Sequence, residues 1–186
     1  VYEGDTSPVA DTGLTSDVEV FYAIYSITAG NEYSTPIIVS ATPNRIIVSE
    51  EDFEGTPTWL NQSVNGTDPG WDTSGGDADI SGFGETTSEN HYLVSPAFDF
   101  STATGVEFDF EYSERFNGPD LKILYSTDYS GSGDPEANGT WTEIPFTFAD
   151  TSTDFNFSAI TAGNVALPAA LEGVPSAYLA FQYTTD

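Results

Sequence analysis

The sequence predicts an all-β chain: part of one sandwich followed by a jelly-roll sandwich. Three observations lead to this class. Val106, Phe108, Phe110 and Tyr112 alternate with Glu107, Asp109, Glu111 and Ser113, the two-residue period of a strand with one buried face. No window of about ten residues carries the apolar stripe of a helix. Short apolar runs are separated by turns drawn from 17 glycines and 11 prolines, the punctuation of sandwiches and jelly rolls.

In order along the chain, residues 18–27 read as a strand with mixed faces, 29–32 as a turn, and Ile37–Ser40 as a second strand closed by Pro43. Arg45–Val48 reads as a short strand leading into Ser49–Gly55. The polar stretch 55–88, with Trp59 and Trp71 inside it, is long for a structureless loop, so short strands or bound ions are expected to order it. His91–Ser101 is a strand interrupted by Pro96. The alternating run at 106–113 should turn at Asn117-Gly118-Pro119 and pair with Leu121–Ser126. An acidic, glycine-rich loop follows, carrying Asp128, Asp134 and Glu136. Trp141–Phe148 is a strand, Phe155–Phe157 and Asn164–Leu167 are weaker ones, and Ala177–Thr184 closes the chain.

Two resemblances bear on this reading. Asp11-Thr12-Gly13-Leu14-Thr15, Phe21-Tyr22-Ala23-Ile24-Tyr25, Tyr33-Ser34-Thr35-Pro36 and Ala41-Thr42-Pro43 together resemble the last strands of a fibronectin type III domain. Only the second half of such a domain is covered, in residues 1–43, which implies an inner face in need of cover. In residues 44–186, Phe53-Glu54-Gly55 with Trp59, Gly70-Trp71, Leu93-Val94-Ser95-Pro96, Ser126-Thr127-Asp128-Tyr129-Ser130-Gly131, Trp141-Thr142-Glu143-Ile144 and Ala180-Phe181-Gln182-Tyr183 are similar to the choice-of-anchor J domain, a relative of cleaved-adhesin and MAM-type jelly rolls. That resemblance implies a module without catalysis in a secreted or surface-bound, multidomain bacterial protein, a structural ion beside Phe53-Glu54-Gly55, and one further strand beyond Asp186.

Charge narrows the partners. Thirty acidic residues against three basic ones give a formal charge of -27, which repels nucleic-acid backbones and anionic lipid headgroups. Nucleic acid is therefore not an expected partner. No window approaches the roughly 18 continuous apolar residues of a membrane span, so insertion is not expected either. With no cysteine, disulfides and thiolate chemistry are absent. No initiator methionine or signal peptide opens the chain, and it is expected to be a piece of a longer, processed polypeptide.

Calcium, which takes six to eight oxygen ligands from flexible acidic loops, is the expected cofactor, in a structural role. Candidate ligands fall in three clusters: Glu51, Asp52 and Glu54; Asp77 and Asp79 with Asp68 and Asp72; and Asp128, Asp134 and Glu136. Each competes with a solvated turn whose side chains bond local backbone. Trp71, Trp59 and Tyr129, with Phe116, are candidate sugar platforms, against the commoner role of aromatics as core. His91, the single histidine, reads as structural, and a Ser-His-Asp constellation needs more than it offers alone. The expected function is a non-catalytic, extracellular or cell-surface adhesion and ligand-binding module. Its expected partners are a polysaccharide, a protein surface or copies of itself. The alternatives are an accessory domain of a secreted hydrolase or nuclease, and a filament or surface-layer subunit completed by strands from neighbours.

Overall fold

The computed structural model describes residues 14, 18–42, 47–66, 69–115, 121–149, 153 and 158–185. Among them the chain is all-β, and it divides into two units, Val1–Ser49 and Glu50–Asp186. The Asp11–Gly13 corner, Arg45 and Ile46, Asp68, Phe116, the turn at 117–119 and the expected strand at 155–157 lie outside the described residues.

Among the described residues, unit 1 holds a single antiparallel pair, β1 (Val20–Ile24) and β2 (Ile37–Ala41), with Tyr22 opposite Val39 and Ile24 opposite Ile37. The connection narrows through an Ile27–Tyr33 bridge to a turn at Thr28–Glu32, where Asn31 takes the left-handed conformation (φ 61°) that asparagine tolerates. Ile47 and Val48, expected in a strand, are not in one.

Unit 2 is built on a five-stranded antiparallel sheet in the order β3 (Leu60–Asn65), β4 (Asn90–Val94), β11 (Tyr178–Thr184), β7 (Lys122–Ser126), β8 (Thr142–Ile144). The last strand of the chain thus lies at the centre, between β4 and β7. One face presents Leu93, Ile123, Ile144, Leu179 and Phe181, the other Tyr92, Val94, Leu124 and Ala180. Both faces are covered, which is why these strands read as apolar runs more than as alternations.

The alternating segment belongs to a second layer. It forms β5 (Glu107–Phe108) and β6 (Glu111–Tyr112), which pair with β10 (Val165–Ala166) and β9 (Ile160–Thr161). Between these ladders residues 162–164 face residues 109–110, a bulge that Gly163 accommodates at φ 73°. The apolar side of the layer meets the large sheet through rings: Phe110 lies 5.0 Å from Phe181, and Phe108 stacks on Trp59 at 6.3 Å and 15°.

The expected pairing of 106–112 with 121–126 does not form; β7 pairs with β11 and β8 instead. Ile123 and Leu124 are neighbours on opposite faces and both are buried, so β7 needs a sheet covered on two sides. The 106–112 run has an acidic outer face and suits a layer covered on one side only. A helical turn, α1 (Pro135–Asn138), and a 3-10 turn at Ala169–Leu171 are the helical pieces among the described residues.

Candidate functional site

The acidic candidates are engaged chiefly in their own turns. Glu51 accepts from the backbone N–H groups of Phe53 (2.9 Å) and Thr58 (2.7 Å) and from the Thr58 hydroxyl. Partial burial pushes its carboxyl up, but the Thr58 and Phe53 hydrogen bonds hold it below its ordinary value. Asp52 accepts from Glu54 N–H at 2.9 Å. Asp134 is the N-cap of α1, accepting from Glu136 and Ala137 N–H, with Pro135 in the first turn. Glu136 accepts from Asn90 Nδ2 (2.8 Å) and Tyr92 Oη (3.2 Å). Asp128 accepts from Thr140 N–H (2.7 Å) and the Ser126 hydroxyl (2.9 Å), which lower its pKa.

The second cluster is more crowded. Asp72 and Asp79 exchange backbone hydrogen bonds of 2.8 and 2.9 Å, closing a loop that also holds Asp77. Burial, then repulsion from Asp72 and Asp77, pushes the Asp79 carboxyl up. The loop also draws in a residue of the first cluster: a Cβ built on Gly76 would lie 2.8 Å from Glu54 Oε1. Even so, no three or more Asp, Glu or His side chains among the described residues are arranged to hold a metal ion. The carboxylates singled out by sequence act mainly as caps and turn closers.

The aromatic platforms are a correction. Trp59, Trp71 and Tyr129 are all buried. Trp59 packs between Phe108 and Phe181. Tyr129 lies 5.3 Å from Trp141 and 5.2 Å from Tyr178, its hydroxyl bonded to Gly133 O at 2.9 Å. Trp71 is fixed by its backbone N–H to Asn61 Oδ1 at 3.1 Å. Large rings in a sandwich have more apolar area to bury than any other side chain, and that outweighed their polar sequence neighbours. An open hollow of about 330 Å³ lies elsewhere, lined in part by Tyr125, Thr127, Asp128, Thr140 and Thr142.

Sequence reasoning missed one constellation. His91, on β4, is the cross-strand partner of Ser63 on the edge strand β3, and its Nδ1 lies 2.7 Å from Ser63 Oγ. Its Nε2 lies 2.8 Å from Glu89 Oε2. His91 and Glu89 are each 1% exposed, whereas Ser63 is exposed. Glu89 Oε1 also accepts from the Thr87 hydroxyl at 3.1 Å. Two glycines close over the pair: a Cβ at Gly66 would fall 1.7 Å from Glu89 Oε2, and one at Gly70 would fall 2.8 Å from His91 Nδ1. Glu89 directly precedes β4, two positions before His91, and the two-residue period that brings their side chains to one side is legible in the sequence. The serine, 28 residues away, carried no signal.

No family model, curated protein or solved structure matches the chain. Among the described residues no helix is long and apolar enough to cross a membrane.

Proposed function

We propose that this chain is an attachment module of a larger extracellular or cell-surface protein, acting by binding, with the β1–β2 hairpin of unit 1 as its contact surface. One observation carries the reading. Phe21 and Ile38 on one face of the ribbon, and Ile24, Ile37 and Val39 on the other, are all exposed on a two-stranded sheet among the described residues. A two-stranded ribbon is marginal alone and gains stability once a further layer or strand covers it. The partner is a protein surface or a second copy of the chain, and strand addition along the β1–β2 ribbon, whose edges pair with no other strand among the described residues, is the mode that suits them. The resemblances to fibronectin type III and choice-of-anchor J modules support an extracellular setting. Calcium belongs to this proposal as a counter-ion for the Glu54 and Asp72–Asp79 loop, where like charges crowd.

Sedimentation velocity over a wide concentration range, with hydrogen exchange on the same samples, tests the reading. Self-association, or binding of a candidate surface protein, is expected to protect the amides of Val20–Ile24 and Ile37–Ala41, and Ile24→Asn with Ile37→Asn is expected to abolish it. Association that leaves those amides unprotected would remove the hairpin as the contact surface.

A further inference from the structure

Ser63, His91 and Glu89 form a hydrogen-bonded chain with an exposed hydroxyl at one end and a buried carboxylate at the other. Glu89 Oε2, 2.8 Å from Nε2, is an acceptor and places the ring proton on Nε2. That leaves the Nδ1 lone pair facing Ser63 Oγ at 2.7 Å, the tautomer in which the ring accepts the hydroxyl proton. Nucleophile, base and orienting carboxylate therefore stand in the sequence that activates a serine, with the two ring nitrogens in exchanged roles relative to the usual protease arrangement.

The surroundings bear on the same point. The β3–β4 register slips between Ser63 and Asn65, a bulge beside the serine on an edge strand, and such bulges re-aim side chains. Gly70 lies against His91 Nδ1, and Gly66 against the Glu89 carboxylate, so backbone packs closely on the base and its partner while Ser63 remains exposed.

We propose that Ser63 is a base-activated nucleophile that accepts an acyl group from a small carboxylic ester, with His91 as its general base and Glu89 as the positioning residue. This activity lies outside the binding role of the hairpin. Ser63 Oγ bonds to the ester carbonyl carbon as its proton passes to His91 Nδ1. The bond from that carbon to the leaving oxygen then breaks, and the proton on Nδ1 goes to the departing alkoxide. Water, deprotonated by the same nitrogen, attacks the acyl-serine, and the proton returns to Ser63 as the carboxylic acid leaves. The Glu89 carboxylate stabilises the imidazolium through Nε2–H in both halves.

The test uses the whole 186-residue chain with a fluorophosphonate probe and p-nitrophenyl acetate, electrophiles that carry their own activation. Mass spectrometry is expected to find one adduct, at Ser63, on the folded chain and none on chain unfolded in guanidinium. Ester hydrolysis is expected to fall about a hundredfold in Ser63→Ala and His91→Gln, the usual scale of general-base assistance. Glu89→Gln keeps the shape of the carboxylate, and labelling there is expected to slow at least tenfold while circular dichroism stays native. If that variant does not fold, the native-against-unfolded comparison on the unaltered chain decides alone. A folded chain with no adduct at Ser63, or one labelled no faster than unfolded chain, would show that the hydroxyl only satisfies a buried ring nitrogen.

Discussion

The β1–β2 pair of unit 1 and the β4–β11–β7 strands of unit 2 are made of similar residues and end in opposite states. Ile24 and Ile37 are 55% and 67% exposed on their ladder, while Leu93 and Ile123 are 2% and 1% exposed on theirs. Strand-forming sequence is common to both; a covering layer is not. Unit 2 supplies that layer from its own chain by folding the segment that carries Phe108 and Phe110 onto Phe181 and Trp59. The described part of unit 1 is one ribbon, whose apolar side chains remain available. Burial, more than strand propensity, separates a core from a contact surface.

The largest effect that tests this contrast is a pair of truncations. Leu93→Ala removes a fully enclosed side chain and is expected to lower stability by about 2–5 kcal/mol. Ile37→Ala, the same kind of change on an exposed strand, is expected to stay within about 0.5 kcal/mol. Urea unfolding followed by tryptophan fluorescence reads unit 2, and hydrogen exchange at β1–β2 reads unit 1. Equal losses from both substitutions would mean that Ile37 is covered in solution.

A smaller effect concerns the glycines over the buried histidine. Gly70 sits at φ 85°, and an added methyl would meet Asn61 Oδ1 at 2.5 Å as well as His91 Nδ1. Gly70→Ala is expected to cost about 1–3 kcal/mol, the usual range for overpacking. Gly84, at a similar φ of 87° but with open space around its Cβ, supplies the control. Gly84→Ala carries the backbone strain without the collision, so the difference between the two midpoints measures the close approach.

How far the sequence could be read follows from the same physics. The all-β class, the break at Pro96, the turn at 29–32 and the existence of a strand over 177–184 were legible because periodicity and turn chemistry are local. The partner of the 106–112 run was not, since a loop of that length permits a hairpin or a crossing between layers, and only the burial of both Ile123 and Leu124 decides. Leu60–Asn65 was hidden by its polarity: as an edge strand it carries Asn61, Gln62, Ser63 and Asn65. Asp134-Pro135-x-x carried a capping signal that the search for cation ligands overshadowed. Trp59, Trp71 and Tyr129 were misplaced because glycine and aspartate neighbours mark the ends of core strands as readily as sugar platforms. Among the site residues, Glu89 and His91 lie two positions apart in sequence, whereas Ser63 arrives through the tertiary fold.

The cap at Asp134 comes next in size. Its carboxylate serves two N–H groups of a single helical turn, and Tyr92 and Trp141 pack nearby through Glu136 and Pro135. Asp134→Ala is expected to cost about 1 kcal/mol, and Asp134→Asn much less, since both asparagine and aspartate cap well. A thermal midpoint that does not separate alanine from asparagine would show that the turn is held by the bonds of Asn138 to Asp134 O and of Trp141 Nε1 to Pro135 O, without the cap.

The smallest effect lies in the acidic loop. Asp79 has its carboxyl held above 3.8 by burial first and by Asp72 and Asp77 second. A group raised in the folded state binds its proton more tightly there, so acidification through that raised value favours the fold. Glu51 and Asp128 run the other way. Their lowered values give stability that is present above about 4.5 and 3.8, and it is lost as pH falls through their folded values. Acidifying from neutral pH is therefore expected to raise the melting midpoint slightly before it drops. Asp79→Asn should raise the midpoint at pH 7 slightly and remove the early rise, leaving the later fall intact. Millimolar calcium is expected to narrow the gap between the two proteins, because a divalent cation relieves the same repulsion that the substitution does, and EDTA to restore it. An acid titration with the same shape in both proteins would show that the three aspartates are screened by solvent and do not feel one another.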